Sequence, residues 1–270
     1  MNVFEELARR LFRDRFPSHP FGRAPRADRE TYLSLFETAR SVSHPHIDKI
    51  ERDLGHAVAK DWLDELALHT QVVIKDARLN YQHGRVLYSA LRNFLENSGG
   101  LPGGATVFET GTARGFSAVC MAKALADSSV DGRVITVDIL PANQSIYWNC
   151  IDDLDGPKTR AELLKPWSEE VRRILFLQGW TKHQLQRIGL SRIHFAFLDA
   201  EHTEEDVLSE FSYVSERQHF GDVIVFDDVT PGQYDGVVAA VRWIERQANY
   251  AVTRFNENPD RGYAIARRRQ

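Results

Sequence analysis

From Thr106 onward, short apolar runs alternate with segments of helical periodicity, and this alternation constrains the fold more than any other feature of the chain. The apolar runs are Thr106–Glu109, Val134–Asp138, Ile174–Gln178, Phe195–Asp199 and Val223–Asp227. Between them lie the helical patterns Ser117–Ala126, Thr181–Ile188, Glu204–Ser215 and Val237–Gln247. Strands joined by helical crossovers run parallel, because each crossover carries the chain back to the same end of the sheet. The spacing therefore predicts a doubly wound α/β sheet. Two last runs, Tyr250–Phe255 and Gly262–Ala266, are separated by too few residues for a helical crossover and are expected to pair as an antiparallel edge hairpin. The trailing Arg267-Arg268-Arg269 reads as a solvated tail.

The first hundred residues have a different texture. Strand-like runs are nearly absent, and helical periodicity appears in Tyr32–Ala39, Lys60–Leu68 and Gly84–Leu95. The glycine- and proline-rich stretch 97–104 punctuates the chain, since clustered Gly and Pro stop a helix and permit a tight connection. This predicts a helical N-terminal region over 1–100, serving as cap, lid or oligomerisation layer, and an α/β domain over 105–270. Between Pro141 and Arg172 an interruption rich in Asp, Trp and Pro is longer than a plain connection needs, and is expected to contribute to a lid or substrate wall.

Bulk properties narrow the partners. The chain has 270 residues, 43% hydrophobic and 27% charged, with a formal net charge of −4, so it lacks the basic excess with which nucleic-acid or membrane binders meet phosphate groups. Small molecules are the expected partners. Its two cysteines, Cys120 and Cys150, fall in segments read as helical and show no zinc-like or redox-like spacing. Residues 1–16 are amphipathic and contain acids, unlike a signal peptide, and no segment approaches the roughly 20 apolar residues that span a bilayer. A cytoplasmic location is expected.

The sharpest local signal is Glu109-Thr110-Gly111-Thr112-Ala113-Arg114-Gly115-Phe116-Ser117, a turn that follows a strand and opens a helix. Glycines in this spacing let backbone approach a bulky ligand, and the helix start offers free amide donors. Ala113 and Phe116 break the Gly-x-Gly-x-x-Gly pattern of dinucleotide sites, which disfavours a nicotinamide oxidoreductase. The second strand ends in Asp138, at the distance where a ribose-binding carboxylate is expected, although an acid can simply end a strand. Together these point to a nucleoside ligand without a buried pyrophosphate.

Asp199-Ala200-Glu201-His202 closes one strand and Asp227-Asp228 the next. Ends of adjacent parallel strands share the edge where ligands bind in open α/β sheets. Successive strand side chains point to opposite faces, so Asp227 and Asp228 converge only if the strand breaks there, as Thr230-Pro231-Gly232 suggests. Three gathered carboxylates repel one another and favour a hard divalent cation such as Mg²⁺ among them; the alternative is that some of them cap the following helices. His202 stands where strand gives way to helix, as a proton acceptor near neutral pH or as an ordinary surface histidine at a helix start.

Taken together, these residues resemble the class I S-adenosylmethionine-dependent methyltransferases, in particular the cation-dependent O-methyltransferases typified by catechol O-methyltransferase and bacterial relatives acting on sugars and natural products. The resemblance covers most of Ala105–Arg267. It implies a Rossmann-like seven-stranded sheet, mostly parallel with an antiparallel edge hairpin. It also implies that the turn carrying Glu109, Gly111, Thr112, Gly115 and Ser117 holds the methionine part of S-adenosylmethionine, that Asp138 binds the ribose, and that Gly179-Trp180-Thr181 forms the adenine-side loop. Trp180 there replaces the polar residue usual in the family. By the same resemblance Asp199, Asp227 and Asp228 are the ligands of a divalent cation, with Asp199 also facing the cofactor, and His202 takes the place of a lysine base.

The expected reaction is metal-dependent methylation of a hydroxyl on a small molecule. The rivals are a metal-independent methyltransferase, whose aspartates bind substrate directly, and a non-catalytic nucleoside-binding scaffold. The resemblance does not explain the helical N-terminal region, which offers a homodimer surface. Within it, Tyr81-Gln82-His83-Gly84-Arg85 reads either as a cover over the cofactor or as a helix start. Tyr147, Trp148, Trp167, Trp180 and Tyr234 stand in connections near the expected cleft, where they would stack on an acceptor or simply pack.

Overall fold

The computed structural model describes residues 19–255 and 261–269. The amphipathic segment 1–16 and the hairpin connection 256–260 lie outside them. Among the described residues, four helices precede the first strand: α1 (Arg29–Arg40), α2 (Pro45–Leu54), α3 (Lys60–Thr70) and α4 (His83–Asn97). Helix α1 starts on Asp28, whose carboxylate accepts the Thr31 amide at 2.8 Å, one of the orphan donors at a helix start. The sequence pattern did not single out α2. It begins with a proline at its first turn and is short, with a well-segregated apolar face of which only Ile47 and Ile50 are buried.

The α/β part follows as β1 (Ala105–Thr110), α5 (Phe116–Asp127), β2 (Gly132–Asp138), the short helices α6 (Arg160–Leu163) and α7 (Ser168–Val171), β3 (Ile174–Gln178), α8 (Thr181–Leu185), β4 (Phe195–Leu198), α9 (Glu204–Ser215), β5 (Val223–Phe226), α10 (Asp235–Arg246), β6 (Tyr250–Phe255) and β7 (Tyr263–Arg268). The seven strands lie in the order β3-β2-β1-β4-β5-β7-β6. Six point the same way, and β7 alone runs antiparallel, between β5 and β6, which makes the expected edge hairpin. The strand order reverses between β1 and β4, and that switch point opens a crevice at the carboxyl ends.

Alternation along the strands divides the core. Val107, Phe195, Phe197, Val223 and Val225 pack with α2, α3, α4 and α5 on one face, and their neighbours Phe108, Ala196, Leu198, Ile224 and Phe226 pack with α8, α9 and α10 on the other. Each fully buried large apolar side chain contributes about 1.5–3 kcal/mol, so this alternation defines the strand register strongly. The N-terminal helices thus complete one face of the sheet. Gly84 lets α4 approach α5 closely: a Cβ there would stand 2.7 Å from the Phe116 ring.

Two expectations change. Arg267 and Arg268 are strand residues of β7 and not a tail. Arg268 donates to the Ser215 carbonyl at 2.9 Å and lies over the Tyr250 ring, and only Arg269 is exposed. The interruption 141–172 packs inward, with Trp148 and Trp167 buried, and it is tied to the N-terminal region by Asn149, which exchanges hydrogen bonds with the Ile74 backbone at 3.1 and 2.9 Å. Those two tryptophans therefore serve packing. Cys120 lies in α5, whereas Cys150 precedes a 3-10 turn (Ile151–Asp155); both are buried free thiols.

Candidate active site at the carboxyl edge of the sheet

The turn after β1 is built chiefly by backbone demands. Gly111 has φ +88°, and a Cβ on it would stand 2.1 Å from the Asp199 carbonyl oxygen, so only glycine lets β1 and β4 close on each other here. Gly115, at φ +97°, begins α5 with its α-carbon pressed toward Leu164. Glu109, Thr112 and Ser117 are buried beneath the turn: Thr136 donates its hydroxyl to Glu109 and pairs with that of Thr112. Burial pushes the Glu109 carboxyl up to about 7 against the hydrogen bonds from Ser117 and Thr136, and one of its oxygens has no partner. These residues shape the turn from below.

Asp138 stands at the turn's open side. Its two oxygens accept one amide each, from Ala113 and from Leu140, both at 2.6 Å. A carboxylate oxygen has two acceptor sites, so each keeps one toward the cleft. That cleft, of about 410 Å³, is lined by Gly111, Ala113, Asp138, Gly179, Trp180 and Asp199 among others. Trp180 remains 43% exposed, its ring presenting an apolar face to whatever enters. A separate cavity of about 510 Å³, near Phe94, Arg192 and Arg267, lies toward the other end of the strands and includes none of these residues.

Across the switch point the acids gather as the strand-break argument requires. Asp228 leaves the strand at φ +53°, a left-handed conformation that Asp tolerates better than most residues, and its amide donates to the Asp227 carboxylate at 2.7 Å. Asp199, Asp227 and Asp228 then face a common point, where the Arg261 guanidinium stands. Its Nε donates to Asp227 Oδ1 at 2.7 Å and lies 3.4 Å from Asp228, and its Nη2 donates to Asp227 Oδ2 at 2.5 Å and to Asp199 at 3.4 Å. Its Nη1 reaches the Asn80 carbonyl at 3.4 Å and His83 Nδ1 at 3.1 Å.

Burial and mutual repulsion raise Asp199 and Asp227, while the guanidinium opposes the rise. Arg261 grips Asp227 at both oxygens and reaches Asp199 through one, so its opposing effect is the larger at Asp227. Burial and the Arg261 charge hold His83 well below the usual histidine range, so it accepts from the arginine as a neutral ring. Of the segment 81–85, only His83 therefore reaches the site. Tyr81 donates to Asp64, and Arg85 is bound to Asp48 and Glu51.

His202 is half-exposed at the rim, with Nε2 3.1 Å from Asp228 Oδ2 and its ring 4.7 Å from that of Tyr234. The bond to Asp228 raises its pKa against burial, and with Nε2–H donated to the carboxylate, Nδ1 is left as the lone-pair nitrogen. A second cavity, of about 320 Å³, adjoins this pair and is lined by Lys75, Arg78, Asn80, Asp228, Gln233, Tyr234 and Arg261. Asp199 lines the first cleft and Arg261 the second, and their ion pair at 3.4 Å stands between the two spaces. Ligand atoms of Asp199, His202 and Asp228 also lie within 4.8 Å of one another.

Arg261 and Asn80 carried no signal in the sequence, and His83 only that of a segment read either as a cofactor cover or as a helix start. Arg261 follows a polar hairpin turn, His83 starts a helix nearly 180 residues earlier, and only folding brings them together.

Residues 108–229 match the Methyltransferase domain family. No curated protein sequence matches the chain. Among solved structures it is similar to the O-methyltransferase TomG from Streptomyces achromogenes, involved in tomaymycin synthesis and solved with SAM, at 17% identity and TM-score 0.54, over 79% of this chain and 92% of that one. It is similar also to the O-methyltransferase from Bacillus cereus in complex with SAH, at 14% identity and TM-score 0.50, over 88% and 99%. A third is cofactor-bound Rv0187 from MTB, at 17% identity and TM-score 0.52, over 88% and 96%. At these identities the structural likeness is one of fold.

Proposed function

We propose that this chain, which carries a methyltransferase domain over residues 108–229, transfers the methyl group of S-adenosylmethionine to a hydroxyl of a small molecule. The observation that carries the reading is a pair of cavities flanking the Asp199–Arg261 contact: a cleft walled by Asp138 and Trp180 on one side, and on the other a polar pocket lined by Asp228 and Tyr234, the two neighbours of His202. The residues suit the cofactor. Asp138 keeps one free acceptor site on each oxygen for a ribose diol, Gly111 and Ala113 leave the turn open, and Trp180 offers an apolar face to the adenine. When bound, S-adenosylmethionine supplies a methyl group activated by its sulfonium.

The chain's own contribution is positioning and proton management. His202, oriented by Asp228 and packed at a tilt against Tyr234, takes the acceptor's hydroxyl proton on Nδ1. The pocket lined by Lys75, Asn80, Gln233 and Tyr234 favours a polyhydroxylated acceptor, a sugar or natural product, over an apolar one. The N-terminal region acts as a cap that delivers Asn80 and His83 to Arg261. We assign the protein to the cytoplasm on its two buried unpaired thiols; among the described residues no helix is long and apolar enough to cross a membrane. Leu33, exposed on α1, offers a starting point for a homodimer contact, testable by light scattering.

A second reading places a divalent ion on the acids. Asp227 fits it poorly, because Arg261 already binds both its oxygens. The donor set within reach is Asp199, His202 and Asp228, which favours the reading by proximity but would take His202 out of proton transfer. Calorimetric titration with S-adenosylhomocysteine tests the function itself. Saturable binding that Asp138→Ala weakens is expected; no binding would remove the methyltransferase reading.

A further inference from the structure

We infer that Arg261 is the resident cation of this site, doing for Asp199, Asp227 and Asp228 the charge balancing that a divalent ion would otherwise do. The site then works without added metal. The inference deepens the methyltransferase reading and rests on it only for its catalytic consequence.

The first argument is stoichiometric. A guanidinium has five N–H donors in one plane. Here all five are matched: Nε and one Nη2 hydrogen to Asp227, the other Nη2 hydrogen to Asp199, and the two Nη1 hydrogens to the Asn80 carbonyl and His83 Nδ1. A long side chain that merely drifted into an acidic hollow would leave donors to solvent. The second argument comes from the neutral partners. His83 and the Asn80 carbonyl lie on the side away from the carboxylates and accept from the same group, and burial keeps His83 uncharged and thus able to accept. An ion on the aspartates would leave both of these acceptors without the donor they now have.

The third argument is electrostatic. Burial of Asp227, 1% exposed, is tolerable only beside a counter-charge, and the two-pronged contact supplies one in fixed geometry. Asp199 and Asp228 are reached by the same group at 3.4 Å each, so one fixed charge is shared over three acids. Arg261 touches no reacting atom on this account. It is a positioning residue: it stands 3.4 Å from one oxygen of Asp228 while the other oxygen orients His202, and it leaves His202 free of metal.

Manganese binding, followed by the loss of the free-ion electron paramagnetic resonance signal, tests this directly. Wild-type protein should leave the Mn²⁺ signal undiminished, with or without S-adenosylhomocysteine. Arg261→Ala should take up Mn²⁺ stoichiometrically, because Asp199, Asp227, Asp228 and His202 then surround an emptied position. Arg261→Lys, which keeps a positive charge there, should again bind none. Stoichiometric uptake by the wild type, or by Arg261→Lys as readily as by Arg261→Ala, overturns the inference. So does an Arg261→Ala protein that binds S-adenosylhomocysteine and takes up no ion. If Arg261→Ala fails to fold, the wild-type and lysine measurements still decide. Absence of S-adenosylhomocysteine binding would strike the methyltransferase reading while leaving the manganese result to stand.

Discussion

The two halves of the sheet's carboxyl edge handle their acids in opposite ways. At β1 and β2, Glu109 and Asp138 are hydrogen-bonded by neutral donors, hydroxyls beneath the turn and the Ala113 and Leu140 amides above it, while the nearby buried Arg160 donates to the backbone carbonyls of the same two residues. At β4 and β5, Asp199, Asp227 and Asp228 are held by a full charge, Arg261. Dipoles from the backbone come with the local turn and are therefore written near the acid in sequence. A guanidinium has to be brought from elsewhere, here from the far side of the edge hairpin. The cofactor half is consequently a local device, and the acceptor half depends on the assembled fold.

The contrast can be broken at several points. The largest effect should come from His202→Ala, which removes the proton acceptor and is expected to lower kcat by about 10²–10⁴-fold while leaving S-adenosylhomocysteine affinity in place. In the wild type the Asp228 bond raises the His202 pKa above its ordinary 6.5, and the neutral ring is the competent form. The rate should accordingly climb with pH through a midpoint above 6.5, and a flat profile would remove His202 from that role.

Asp227→Ala comes next. It strips the two-pronged partner from a largely buried arginine, and breaking such a pair typically costs about 3–5 kcal/mol, to be read from urea denaturation. If the cofactor half is indeed independent, Asp227→Ala protein that still folds should bind S-adenosylhomocysteine nearly as wild type does. Asp138→Ala reverses the pattern: cofactor affinity should fall by about ten- to a hundred-fold, the worth of hydrogen bonds to a charged group, with little change in stability. Equal losses of both properties in both variants would erase the distinction between the halves.

The smallest effect concerns Glu210, buried under β1 with the Thr110 hydroxyl donating to it at 2.6 Å. Burial pushes its carboxyl up to about 8 from 4.5. Between those values the unfolded chain has released a proton that the native state retains, so wild-type stability falls as pH rises from about 4.5 to about 8. Glu210→Gln has no such proton, and its Tm relative to wild type should improve steadily from pH 5 to pH 8. A constant difference would mean that the carboxyl ionises normally.

Much of this edge was legible in the chain itself. Alternating apolar runs located all seven strands within a few residues, and the short gap after Phe255 required the antiparallel hairpin. Gly111, Asp138 and Trp180 were identified as cleft residues and do line it, although glycine at 111 is required by the Asp199 carbonyl as much as by any ligand. Less legible were helix α2, whose apolar face is built from few residues, the inward packing of Trp148 and Trp167, and the strand residues Arg267 and Arg268, whose charge read as solvation while their backbones were needed beside β5.

What the sequence determined by itself is what short-range physics encodes: the period of burial, the turn that only glycine and a following helix can make, and the placing of acids at strand ends. Which charge would balance those acids was decided by tertiary structure alone. Three repelling carboxylates require a positive partner, but the requirement does not say whether that partner is an ion or a side chain. The choice fell to Arg261 because the antiparallel β7, docked against β5, starts at the carboxyl end of the parallel strands, so that Arg261, two residues before it, reaches Asp227. Helix α4, packed on α5, starts at the same edge and places His83 to accept from the guanidinium.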